Sequence, residues 1–206
     1  MKIVTSWDDG CVHDLRLAEL LKKYDLTGTF YLPWDLEKGK NLSRVGKFLS
    51  REQCKELSKE FTIGSHGVTH SFLTKIPLQS ARNEIFESKK HWEEFLGKPV
   101  TSFCYPRGYS NGLIKMLVKN AGYENARTTI VGHLSPGSDP FVQPTTLHVG
   151  IDRIEYKQIC WEMFARKMME KTDENSTFHL FGHSWEIEQF GDWGNLETLL
   201  KELTGK

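Results

Sequence analysis

Short β-rich runs alternate with helical stretches from one end of this chain to the other, and that alternation constrains the fold more than any other feature. The strand-like runs cover residues 2–7, 28–32, 61–64, 101–105, 125–129, 146–150 and 176–181. Helical stretches lie between and after them, near 12–24, 51–60, 78–96, 111–121, 155–170 and 196–203. Leu15, Ala18 and Leu21 share a helical face, as do Leu117 and Ala121. Strands that alternate with helices pair in parallel through right-handed crossovers. About seven such units within 206 residues predict one α/β domain over 1–206 with a barrel-like β/α arrangement. Ser110 is a candidate N-cap and Gly122 a candidate C-terminal cap, while Gly97-Lys98-Pro99 should stop the long middle helix. The proline- and glycine-containing stretch 132–145 reads as a long surface loop.

Composition removes several function classes. Lysine plus arginine balance aspartate plus glutamate at 27 each, so nothing favours nucleic acid or an anionic membrane as a partner. No apolar stretch approaches the length of a membrane span. Met1-Lys2 leads directly into the first strand-like run without a signal-peptide apolar region, which sets the expectation of a cytoplasmic protein. Cys11, Cys54, Cys104 and Cys160 are widely spaced and form no Cys-x-x-Cys pair, so free thiols are expected.

Each candidate reactive group follows a strand run, and in a β/α barrel the chemistry collects at the C-terminal ends of the strands. Asp8 and Asp9 follow the first run. Ser65-His66-Gly67-Val68-Thr69-His70 follows the third, Tyr105-Pro106-Arg107-Gly108 the fourth; Arg127 belongs to the fifth and His183 follows the seventh. His66 and His70 could share a helix face, but Gly67 and Val68 make a strand-end loop the expected setting. One carboxylate and two imidazoles leave coordination positions open, as a catalytic metal site requires. Two adjacent carboxylates stay ionised together when a cation sits beside them, so a metal on Asp9 would leave Asp8 as a general base. A non-haem iron oxygenase also uses two histidines and a carboxylate, but its His-x-Asp…His order is absent here.

These residues resemble a known family. Ser6-Trp7-Asp8-Asp9-Gly10 is similar to the Thr-Phe-Asp-Asp-Gly signature of the polysaccharide deacetylases, the NodB-homology group of carbohydrate esterases (family 4). His66 to His70 resembles the second motif, His-(Ser/Thr)-x-x-His. Phe103-Cys104-Tyr105-Pro106-Arg107-Gly108 resembles the third, and Leu180-Phe181-Gly182-His183 the fifth. The resemblance implies a distorted (β/α)7 barrel and removal of an acetyl group, N-acetyl or sometimes O-acetyl, from a sugar. It further implies that Asp9, His66 and His70 hold a divalent metal (Zn2+ first, with Co2+, Ni2+ or Fe2+ open). Asp8 would be the base, His183 the acid, and the backbone N–H of Arg107 an oxyanion donor, with Tyr105, Pro106 and Trp185 beside the substrate. The partner would be an acetylated carbohydrate.

The chain departs from that pattern twice. The arginine that usually orients the base aligns with Cys104, so Arg107 or Arg127 must substitute, and Arg127 is favoured because it ends a neighbouring strand. The fourth motif, an Asp and a Trp, is blurred: Asp152 is the candidate acid and Trp185 the candidate apolar wall. His179 reads as a packed strand residue, and His13, His91, His133 and His148 receive no role. Phe72, Trp34, Tyr109 and Trp193 could line a sugar groove, though core packing is the leading reading for aromatics in such a barrel. Two other functions stay open. One is a non-catalytic carbohydrate-binding barrel; the other is a cyclic-amide hydrolase of the same fold, against which the Asp-His-His set argues.

Overall fold

The computed structural model describes residues 1–36 and 46–206. The first run forms β1 (Lys2–Asp8), whose β-branched start and buried second half suit a central strand. It pairs in parallel with β2 (Thr29–Leu32) on one side and with β7 (Thr177–Gly182) on the other. The remaining strands are β3 (Thr62–Ser65), β4 (Ser102–Cys104), β5 (Asn125–Arg127) and β6 (Leu147–His148). All seven lie in one parallel sheet of order β5-β4-β3-β2-β1-β7-β6. Every expected strand is therefore present.

Between them run α1 (Asp14–Lys23), α2 (Arg51–Glu60), α3 (Leu78–Leu96), α4 (Gly112–Asn120), α5 (Trp161–Met169), α6 (Ser184–Phe190) and α7 (Trp193–Thr204). Helix α3 buries Ala81, Ile85, Ser88 and Trp92 on one stripe and ends at Gly97, whose φ of 67° is a left-handed cap. Three details of the helices differ from expectation: α5 begins at Trp161 rather than near 155, behind a separate short turn at Ile154–Tyr156. Asn111 rather than Ser110 caps α4, because its side chain reaches the Ile114 N–H. Helix α6 was not expected at all, since only seven residues separate His183 from Gly191. None of the described helices is long and apolar enough to cross a membrane.

The sheet line begins at β5 and ends at β6, and the loop expected at 132–145 spans that gap. Thr128 and Ala126 exchange backbone hydrogen bonds with Gln143, and Thr145 and Thr146 then bond to Ile130 and His179. The stretch is thus a strap across the sheet edges, not a plain surface loop. It carries the chain from Arg127 at the end of β5 into β6, and so closes the wall behind the site. Trp7, Phe30, Phe103, Phe178 and Phe181 are fully buried in the core, each contributing about 2–3 kcal/mol by removing apolar surface from water.

Candidate active site

The chain leaves β1 through Asp9 (φ 80°) and Gly10 (φ 72°), two successive left-handed residues. Such a φ is uncommon for aspartate. Asp9 Oδ1 lies 3.7 Å from His66 Nε2 and 3.5 Å from His70 Nε2, and all three side chains are buried. The Nδ1–H of His66 donates to the Cys104 carbonyl at 2.8 Å, which leaves its Nε2 lone pair facing Asp9. Trp185 Nε1–H donates to Asp9 Oδ2 at 3.1 Å, whereas Asp9 Oδ1 accepts no hydrogen bond. A buried carboxylate oxygen without a donor is costly. Burial raises the Asp9 carboxyl pKa and depresses the imidazoles, pushing His70 down to about 2, so the histidines are neutral donors of lone pairs. Tetrahedral N and O ligands with bonds of 2.0–2.2 Å sit about 3.4 Å apart. The orphaned oxygen and the two facing Nε2 atoms fit a divalent cation by chemistry and by spacing.

Asp8 ends β1 on the adjoining side. Arg127 Nη2 donates to both of its carboxylate oxygens. The guanidinium also donates from Nη1 to the Thr128 carbonyl at 3.1 Å and lies 4.7 Å from the Phe181 ring centroid. Cys104 and Arg127 are register partners on β4 and β5, so the small thiol at 104 leaves room for the longer side chain to reach across. Arg127, not Arg107, faces Asp8. Burial alone would raise the Asp8 carboxyl, but Arg127 and the charged His183 outweigh it and hold the group ionised well below the usual carboxylate range.

His183 follows β7 directly, with Nε2 4.0 Å from Asp8 Oδ2 and 3.8 Å from Asp9 Oδ2. Its other nitrogen donates to Glu186 Oε2 at 2.6 Å. The same oxygen lies 2.9 Å from His148 Nε2. Arg153 Nη1, which can only donate, is 3.4 Å from His148 Nδ1. His148 Nδ1 must then accept, so Nε2 carries the hydrogen that reaches Glu186. Burial opposes charge on His183, but Glu186 and Asp9 prevail and push it up to about 10. Burial likewise opposes charge on Glu186, yet His183 and His148 bring it down to about 2.

Glu186 and His148 were missed in the sequence. The signal for Glu186 was its place three residues after His183, within reach once a helix begins there. The assignment of Asp152 is corrected. Its Oδ1 accepts the Trp161 N–H at 2.8 Å and caps the start of α5, away from His183. Tyr105 is corrected too: its ring is fully buried and its hydroxyl donates to the Phe141 carbonyl, so it packs the core. Pro106 is buried, Arg107 is exposed with φ 62°, and half-buried Trp185 binds Asp9 through its indole N–H. Gly108 follows in left-handed conformation (φ 76°), where an added Cβ would fall 2.1 Å from Thr129 Oγ1. Trp34 packs against Trp92 and Trp193 is buried, while Phe72 and exposed Tyr109 pair with ring centroids 5.1 Å apart. His179 is a packed strand residue bonded to Ser6, and no disulfide joins any two of the four cysteines.

Two aspartates and three histidines are thus gathered at the strand ends of a parallel β/α fold, where barrels of this kind carry their chemistry. The family model for polysaccharide deacetylases matches residues 1–126, and the chain belongs to that family. YxkH of Bacillus subtilis (strain 168), assigned to the polysaccharide deacetylases, is 27% identical over 135 residues, 65% of this chain and 46% of that protein. The chain thus spans less than half the length of this curated relative. BC0361, a polysaccharide deacetylase from Bacillus cereus, superposes with a TM-score of 0.57 at 27% identity, covering 68% of this chain and 45% of that one. BA3943, a CE4 family pseudoenzyme from Bacillus anthracis, shares the fold over 98% of this chain and 61% of its own, with a TM-score of 0.63 at 16% identity. The seven-stranded sheet is the distorted (β/α)7 barrel of these deacetylases.

Proposed function

We propose that this protein is a metal-dependent hydrolase that removes an acetyl group, most simply an N-acetyl group, from an amino sugar or its oligomer. The observation that carries this reading is the orphaned, buried Oδ1 of Asp9 facing His66 Nε2 and His70 Nε2, with Asp8 and His183 alongside. Asp9, His66 and His70 would hold the cation. Asp8, oriented through both oxygens by Arg127, accepts a proton from the attacking water. So strongly ionised a carboxylate is a weak base, and a cation held by Asp9, His66 and His70 would supply what it lacks, since a bound divalent ion acidifies water and polarises a carbonyl. His183, with Nδ1 tied to Glu186, presents Nε2 to the site and protonates the departing amine. The backbone N–H of Arg107 would serve as the oxyanion donor, and Trp185, which steadies Asp9, would wall the acetyl side.

The non-catalytic reading has a precedent in the Bacillus anthracis pseudoenzyme. Against it stands the pairing of Arg127 with Asp8, which restores an orienting arginine that the third motif lacks. Acetate release from acetylated amino sugars, measured with and without chelator, tests the proposal. Release should require the metal and collapse in Asp8→Asn. Tight binding of an acetylated oligosaccharide by the metal-loaded protein with no acetate released would establish the binding role instead.

A further inference from the structure

Between His66 and His70 the chain makes a tight loop whose amide side is held by one residue from a different element. Glu84, half-buried on α3, accepts the Val68 N–H at 2.8 Å and the Thr69 N–H at 2.8 Å, both on Oε2. Its other oxygen takes the Thr69 hydroxyl at 2.6 Å and the Ser71 hydroxyl at 3.4 Å. Two successive backbone N–H groups aimed at one anionic oxygen form a compact anion nest. On the carbonyl side, Trp34 N–H donates to Gly67 and Asp35 N–H donates to Val68, at 2.9 and 2.7 Å. The loop is therefore clamped from both faces. Its two ends are the imidazoles that face Asp9, and it delivers His70 in a left-handed conformation (φ 55°) that needs outside support.

Gly67 fits the same design. The family pattern has a serine or threonine at this place, but here φ is +80° and an added Cβ would stand 3.0 Å from Glu84 Oε2. A side chain at 67 would compete with the carboxylate for the space over the loop.

We infer that Glu84 is a positioning residue of the metal site: it fixes the loop that sets the distance and direction of His70 relative to His66. The inference rests on the reading that Asp9, His66 and His70 hold a metal. Outer partners that orient ligands are worth about ten- to a hundredfold in metal affinity when lost. Charged hydrogen bonds to backbone N–H groups are among the strong ones.

The test is a calorimetric titration of Zn2+ alone into the metal-free full chain. Tm and amide exchange of the metal-free protein are measured in parallel. Glu84→Ala should weaken Zn2+ binding by about ten- to a hundredfold and speed exchange at Val68 and Thr69. Glu84→Gln, which keeps one oxygen for the two amides, should fall between parent and alanine. Parental affinity, within twofold, in a folded Glu84→Ala protein overturns the inference. If that variant does not fold, Glu84→Gln and Thr69→Val decide: graded loss supports the role, and unchanged affinity in both overturns it. A parent that binds no Zn2+, or a His70→Ala protein that binds as tightly as the parent, overturns the ligand reading itself and this inference with it.

Discussion

Among the clusters of metal-capable side chains in the described residues, two that sit a few ångströms apart at the strand ends are built on opposite principles. Asp9, His66 and His70 form one; His148, His183 and Glu186 form the other. In the first, the facing atoms stand 3.5 and 3.7 Å apart and Asp9 Oδ1 makes no hydrogen bond. In the second, Glu186 Oε2 receives two hydrogen bonds at 2.6 and 2.9 Å, and the arginine beyond closes the chain of donors. The first arrangement calls for a positive charge between its acceptors, whereas in the second Glu186 and Asp9 hold the proton on His183 that supplies one. Two histidines and a carboxylate thus suit a cation in one place, on the proposed reading, and a proton in the other. What separates them is whether the acceptors are already satisfied.

The largest expected effect breaks the first cluster alone. His70→Ala should abolish stoichiometric Zn2+ binding, a loss beyond the about hundredfold that an outer partner costs, while the His148, His183 and Glu186 bonds persist. Calorimetry with the metal-free protein reads this directly. Next, Asp8→Asn should keep metal binding but lower kcat by about a hundred- to ten-thousandfold, because it removes the proton acceptor. Steady-state acetate release at saturating metal checks it, and near-parental turnover would sink the role of the base.

Glu186→Gln sharpens the comparison from the other side. Zn2+ affinity should stay near parental, while kcat falls by about tenfold to a hundredfold as His183 loses its anionic partner. The same variant changes how stability depends on acid in the metal-free protein. Folding depresses the Glu186 carboxyl from its usual 4.5 to about 2. Its stabilising contribution is therefore complete above about pH 4.5 and is lost as pH falls through 2. His183, raised to about 10, holds the same pair in full below its ordinary 6.5 and loses it as pH rises towards 10. The drop in Tm between pH 5 and about 3 should be shallower in Glu186→Gln than in the parent. An equally steep drop would place the stabilising charge elsewhere. The smallest effect is expected from Asp152→Ala, which removes a helix cap worth about 1 kcal/mol and leaves both clusters intact. Tm should fall slightly and turnover should not change.

The two clusters also differed in how visible they were. Asp9, His66 and His70 lie close in sequence to strand ends and within the 1–126 segment that carries the family match. Strand periodicity and residue type were enough to single them out. Glu186 and His148 lie beyond that segment, and their meeting depends on α6 and on the two-residue β6. A lone histidine in a short run carries no signal until the strand register places it beside His183. Asp152 looked equally suitable as an acid, and only the direction of its side chain, towards the start of α5, removed it. Tyr105 failed for a related reason: neighbouring residues in a strand end alternate between core and site, and one position decides which.

By itself, the sequence determined the seven strands, their alternation with helices and the strand-end placement of both aspartates, His66, His70 and His183. These follow from local periodicity and turn chemistry, which act over a few residues. Only the tertiary structure decided which oxygen of Asp9 is left without a donor, that Arg127 and not Arg107 reaches Asp8, and that Glu186 is the acceptor shared by His183 and His148. Those outcomes depend on distances between side chains far apart in the chain, where a shift of one ångström makes or breaks a hydrogen bond.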